Sequence, residues 1–201
     1  MLEQPSSLGA FIAYAAGTGL AAAVFNQIIQ LVRERRQRDQ AAAYLAVRLS
    51  FTLEMFVLDA LEASSEALQM IEERITSEAL RAPIVPEYPN DPDGWRALDK
   101  NVATRAINLR LVVAERYRDV AFNAQFEGFL DAAEAYSEEA ILCGLDAWLL
   151  AQEIRNKYKL PNYGYVHRSD AGSKIGLFLE NRANAITAKR RSVAAGQSDL
   201  C

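Results

Sequence analysis

Apolar positions recur at steps of three and four along most of this chain, and no run of strict alternation is sustained. That period belongs to the α-helix, so the pattern predicts an all-α protein. Residues 41–79 read as one helix. Leu49, Phe56, Ala63 and Met70 form one apolar row; Val47, Leu61, Leu68 and Ile75 form another. Thr52, Asp59, Glu66 and Glu73, with Arg48, Glu62 and Gln69 beside them, make the wet face. Two rows this wide suit a bundle core better than a narrow two-stranded seam. Glu54 falls in the Val47 row, flanked by Leu53, Met55 and Phe56. A carboxylate there sits at the edge of the face or is paired inside, and the edge is the simpler expectation.

Two further helices follow the same rule. Val102, Ala106, Leu109, Val113, Tyr117, Val120 and Ala124 mark one that ends near Gln125. Phe129, Ala133, Tyr136, Ala140, Cys143, Ala147, Leu150, Ile154 and Tyr158 mark another over 129–159, closed by Pro161. Leu130, Ile141, Leu145 and Trp148 widen its stripe. Gly144 within it costs about 1 kcal/mol against Ala, which points to a close helix crossing. A last helix is predicted over 171–193, with Ile175, Phe178, Leu179, Arg182 and Ile186 on one side; docking on the bundle or partial disorder is expected ahead of lying on the membrane surface, because its apolar face is short. Its basic end, Lys189, Arg190 and Arg191, suits a helix C-terminus. Between the first two helices, Pro83, Pro86, Pro89 and Pro92 forbid continued helix, so "RAPIVPEYPNDPDGW" reads as an extended connector. Asp93 or Asp99 can cap the helix after it.

The N-terminal region departs from this pattern. From Gln4 to Val32 there are 29 residues without a charge, about 43 Å as a helix at 1.5 Å per residue. A hydrocarbon core needs about 20 residues. Glycines, alanines, Asn26, Gln27 and Gln30 dilute the run. Arg33, Arg35, Arg36 and Arg38 follow it, with Glu34 and Asp39 among them. The only charged side chain before the run is Glu3, which is wrong for a signal peptide. The expectation is a single-pass transmembrane anchor with its arginine flank and body in the cytoplasm of a bacterial inner membrane. The arginines can also meet anionic lipid headgroups. A buried helix of a soluble oligomer is the rival reading. Ala13, Gly17, Gly19 and Ala23 offer small-residue spacing for helix association in lipid. No Gly or Pro occurs between Ala21 and Ala82, so nothing local breaks a helix leaving the membrane.

The organisation expected is therefore an anchor with its basic flank over 1–39 and a bundle of three to four antiparallel helices over 40–160. The connector spans 81–94, and 161–201 hold a loop, an amphipathic helix and a tail. The net charge of −4 argues against a general nucleic-acid binder. Cys143 and Cys201 form no framework or metal pair, which fits a reducing compartment. The abundance of Ala, and of Arg over Lys, is a usage associated with GC-rich bacterial genomes.

Candidate chemistry changes this picture little. The single histidine, His167, lies near Tyr163, Tyr165 and Asp170 in a predicted loop. It could act as a base, but no nucleophile motif accompanies it. One histidine cannot complete a di-iron carboxylate site. No phosphate-binding glycine loop, dinucleotide fingerprint or HExxH occurs. Glu62, Glu66, Glu72, Glu73 and Glu78 read first as a solvated helix face and only secondarily as cation ligands. No motif is specific enough to name a family. No catalytic residue, cofactor or metal is expected. The expected partners are membrane lipid, further copies of the chain and an unidentified protein. The function expected is that of a self-associating, membrane-anchored scaffold. A holin-like pore former or toxin is the first alternative, and an enzyme using His167 the second.

Overall fold

The computed structural model describes residues 7–74, 80, 82–84, 86–126, 128–161 and 171–198; side chains are described from Ala23 in the first helix and over 174–195 in the last. Every regular element among the described residues is a helix: α1 (Ser7–Glu73), α2 (Pro92–Ala97), α3 (Lys100–Asn123), α4 (Phe129–Tyr158) and α5 (Ala171–Ser198). The first is a single helix of 67 residues, about 100 Å long at 1.5 Å per residue. It runs without interruption across the boundary drawn at residues 39 and 40, because no residue there breaks it. It stops at Arg74, which takes the left-handed conformation with φ 53°.

The ends of the other helices follow from local chemistry. Part of the expected extended connector is helical: Asp91 accepts a hydrogen bond from Gly94 N–H at 3.0 Å, and Pro92 opens α2. Asp99 caps α3 as the sequence suggests, accepting from Asn101 and Val102 N–H at 3.0 and 3.2 Å. Lys157 lies 2.6 Å from the same carboxylate and, with the two amides, holds it below the usual aspartate range. α4 ends at Lys159, left-handed with φ 50°, and Leu160 N–H donates to Arg155 C=O at 2.9 Å. That is the six-to-one hydrogen bond of a Schellman-type ending.

α4 packs against α1, α3 and α5, while α2 packs on α1. All three partners of α4 run antiparallel to it. Glu54 and Ser64 of α1 meet Arg155 and Ser137. Arg105 and Arg116 of α3 pair with Glu153 and Glu139. Gly176 of α5 lies against Trp148, and Lys189 of α5 pairs with Glu134. A shared core results, in which Leu49, Leu53, Phe56, Val102, Val113, Leu150, Ile154 and Leu179 are fully buried. α5 contributes Leu179, Ala183 and Ile186, so the C-terminal helix docks on the rest of the fold; Phe178, expected on its buried side, is half exposed.

In α1 the buried face is Ala42, Leu45, Ala46, Leu49, Leu53, Phe56, Val57, Ala60 and Ala67. Only part of each predicted row belongs to it. Leu49 and Phe56 are buried, but Ala63 and Met70 are half-buried and Val47 is exposed. Ile75 lies outside the described residues. The cause is geometric: positions seven apart drift about 20° per heptad around a straight helix. The Leu49 row rotates out of the core along its length, and the Val47 row rotates in. Drift alone does not place Glu54, which is buried while Leu61 and Leu68 farther along its row are half-buried; pairing with Arg155 holds it inside, so the edge position expected for it is corrected.

Two glycines test the packing from opposite sides. At Gly144, a Cβ would lie 3.4 Å from Ala60 Cβ and 3.6 Å from Leu179 Cδ2. The crossing is close, yet it leaves room. At Gly94, a Cβ would lie 2.6 Å from the Asp91 carboxylate and 2.9 Å from Leu45 Cβ. Gly144→Ala is therefore expected to raise stability by up to about 1 kcal/mol through helix propensity. Gly94→Ala is expected to cost about 1–3 kcal/mol through overpacking. Urea unfolding midpoints of the two variants measure both signs.

Candidate functional site

Three features are candidates for function: the arm formed by the first part of α1, a buried ion pair, and a polar network joining α3, α4 and α5. The arm is built by helix continuity alone. Over 23–40 every side chain is exposed except Ile29, which is intermediate. Val24, Phe25, Ile28, Leu31 and Val32 are among the exposed large hydrophobics, so the arm does not pack on the body there. Arg33, Arg35, Arg36 and Arg38 are exposed at its root. Ala23 is exposed; Ala13, Gly17 and Gly19 belong to α1, but their side chains lie outside the described residues.

Among the described residues, α1 is the one helix long and apolar enough to cross a membrane, and half of the stretch that meets this test is buried inside the protein. Since 23–40 is exposed, that stretch belongs to the packed part of α1. Its apolarity is already accounted for by the core. The uncharged run preceding Ala23 has helical backbone from Ser7 onward.

The ion pair joins α1 to α4. Arg155 donates from Nε to Glu54 Oε1 at 2.5 Å and from Nη2 to Oε2 at 2.9 Å, while Nη1 donates to Pro161 C=O at 2.7 Å. Glu54 is 2% exposed and Arg155 7%. A bidentate guanidinium–carboxylate fork satisfies both partners, which a buried charge requires. The sequence reading did not single out Arg155. The available signal was a cation beside Ile154, next to the apolar stripe of α4, matching a carboxylate in the apolar row of α1.

The network is more exposed. Arg116 lies 3.3 Å from Asp146 and 3.7 Å from Glu139, and its Nη1 approaches Cys143 Sγ at 3.8 Å. Arg190 pairs with Glu138 and Glu139, each at 2.9 Å, and Lys189 with Glu134 and Glu138. These contacts cross between helices. Burial pushes the Cys143 thiol up to about 11, only partly opposed by Arg116. At neutral pH the sulfur is a protonated, buried hydrophobe rather than a nucleophile. Burial also raises Tyr117 and Asp146. The Tyr117 hydroxyl and Glu139 Oε2 are buried without a hydrogen-bond partner.

His167, Tyr163, Tyr165 and Asp170, the residues of the enzyme reading, lie outside the described residues, as do Glu78 and Cys201. Glu62, Glu72 and Glu73 are exposed, Glu66 is half-buried, and no metal-binding group forms among the described residues. No protein-family model, curated protein or solved structure matches the chain. The geometry therefore stands alone as the basis for a functional reading.

The polar groups lead to three predictions. Glu54→Leu leaves Arg155 buried without its carboxylate and is expected to cost about 3–5 kcal/mol, while adding Arg155→Met recovers most of that loss. Denaturant unfolding of both single variants and the double variant gives the coupling. Tyr117→Phe removes a hydroxyl that bonds to nothing and should change stability by less than about 0.5 kcal/mol, or raise it. Tyr88→Phe, which deletes a 2.8 Å bond to Ala106 C=O, should cost about 1 kcal/mol in the same assay.

Proposed function

We propose that this chain is a single-pass membrane protein whose helical body, an antiparallel bundle, serves as a self-associating scaffold on the cytoplasmic face. The observation that carries the reading is the arm. Its uncharged leading part continues as helix into an exposed apolar segment, and four arginines stand where that segment joins the body. Helical backbone satisfies its own hydrogen bonds and can enter hydrocarbon, whereas the guanidiniums stay at the headgroups. The small residues at 13, 17, 19 and 23 give neighbouring arms a surface for close approach. The body would act through its surfaces, bringing an unidentified protein to the membrane without chemistry of its own.

A second reading has one observation in its favour. Asn26, Gln27 and Gln30 are exposed on the arm, and several arms together could line a wet path, as in a pore former. Leakage of dye from liposomes on addition of the chain would place this reading first.

The membrane reading predicts that the full chain floats with liposomes in a density gradient. Phe25→Arg with Ile28→Arg should reduce flotation, since a charge costs up to about 2.5–3.5 kcal/mol at the centre of a span and less toward the end where these two residues lie. Flotation that survives both substitutions would remove the anchor from this segment. Gly17→Ile with Gly19→Ile should weaken crosslinking between copies while leaving flotation intact.

A further inference from the structure

We infer that the cleft between the root of the arm and α2 receives the headgroup of a zwitterionic phospholipid whose cation is a primary ammonium. The inference rests on the membrane reading and names the lipid that the arm meets first. An open cleft of about 710 Å³ separates the two helices there. That volume is within the range of ligand sites, about 300–1,000 Å³. Its walls carry Glu34, Gln37 and Arg38 from α1 and Asp93 and Arg96 from α2.

Depth matches a headgroup. Val32 is the last residue of the uncharged run, and Glu34 and Arg38 lie about 3 and 9 Å beyond it along the helix. The polar layer on each side of a bilayer is about 5–8 Å thick, so these two residues span it. Because α2 faces them across the cleft, Asp93 and Arg96 line the same pocket.

Charge selects the lipid. The cleft carries two guanidiniums and two carboxylates, a neutral sum with one charge of each sign on each wall: Glu34 and Arg38 on α1, Asp93 and Arg96 on α2. A phosphate can bind Arg38 and Arg96 while an ammonium binds Glu34 and Asp93. An anionic lipid would gain the arginines but meet both carboxylates. A quaternary ammonium donates no hydrogen bond and is recognised by aromatic faces, and among the described residues no aromatic side chain lines this cleft. A primary ammonium offers three donors to the carboxylates. Within the cleft, Arg96 and Asp93 stand 3.7 Å apart with side chains more than four-fifths exposed. A pair so long and so wet yields readily to a ligand.

The experiment uses the full chain in bilayers containing equal parts of phosphatidylethanolamine, phosphatidylcholine and phosphatidylglycerol. Native mass spectrometry after mild detergent extraction counts the lipids retained. Phosphatidylethanolamine should exceed each of the others by roughly fivefold, the scale of one or two exposed charge contacts. Glu34→Gln with Asp93→Asn should shift retention toward phosphatidylglycerol, and Arg38→Gln with Arg96→Gln should abolish the preference. Soluble glycerophosphoethanolamine, added in excess, should compete if the headgroup alone is recognised. Equal retention of the three lipids, or preference of the unmodified chain for the anionic one, overturns the proposal while leaving the anchor in place. Failure of the chain to enter the bilayer overturns both.

Discussion

One uninterrupted helix couples everything else in this protein. Between Ala21 and Ala82 there is no Gly or Pro, so the backbone hydrogen bonds that build the arm continue into the body without a hinge. A straight helix transmits direction as well as position. The side of α1 that meets α4 is fixed by side-chain packing, and this fixes how the arm's arginines face relative to α2. A flexible linker at the same place would have left the two ends independent. As built, the cleft beside Arg38 lies between the continuous helix α1 and α2 packed on it.

The body is organised around α4, the helix with three neighbours. Its small residues allow the approach: Ala140, Gly144, Ala147 and Ala151 are buried, and Ala60 and Leu179 converge on Gly144 from opposite partners. Apolar packing of this kind is permissive about register. The Glu54–Arg155 pair is not, because a guanidinium fork accepts a carboxylate only in one geometry. A slip of one turn between α1 and α4 would leave two buried charges unpaired. The pair adds little net stability against an apolar substitute; its effect is to make wrong alignments costly. The contact from Arg155 to Pro161 C=O extends this control to the end of α4.

Charges elsewhere are arranged by region. Around the root of the arm the arginines dominate, with the mixed cleft beside them. At the other end of the body, Lys189 and Arg190 of α5 meet the acidic cluster at the start of α4. These exposed contacts contribute little individually, but they tie α5 to α4 beyond the reach of Leu179 and Ile186. Cys143 lies under this network and is kept protonated by burial, so the one described thiol belongs to the packing. The scaffold reading is consistent with this distribution, since the charged groups pair with one another or face solvent at the arm.

Much of this was legible in the sequence. Helical period, the proline-rich break, the cap at Asp99, the apolar stripes of α3 and α4 and the arginine cluster all depend on residues close together in the chain. Local rules suffice for such features. The uncharged segment was legible too, as was its continuity with the first body helix, since no Gly or Pro lies between Ala21 and Ala82. What the sequence could not supply was rotation and partnership. Rows read at sevenfold spacing drift on a real helix, so Ala63 and Met70 leave the face that Leu49 and Phe56 share, while Glu54 is held inside by its partner. Arg155 became the partner of Glu54, 101 residues away, only when α4 lay antiparallel along α1. The mixed-charge cleft likewise needed α2, a short helix inside an expected extended connector, to bring Asp93 and Arg96 opposite Glu34 and Arg38. Periodicity fixes which residues share a face, but only packing decides which faces meet.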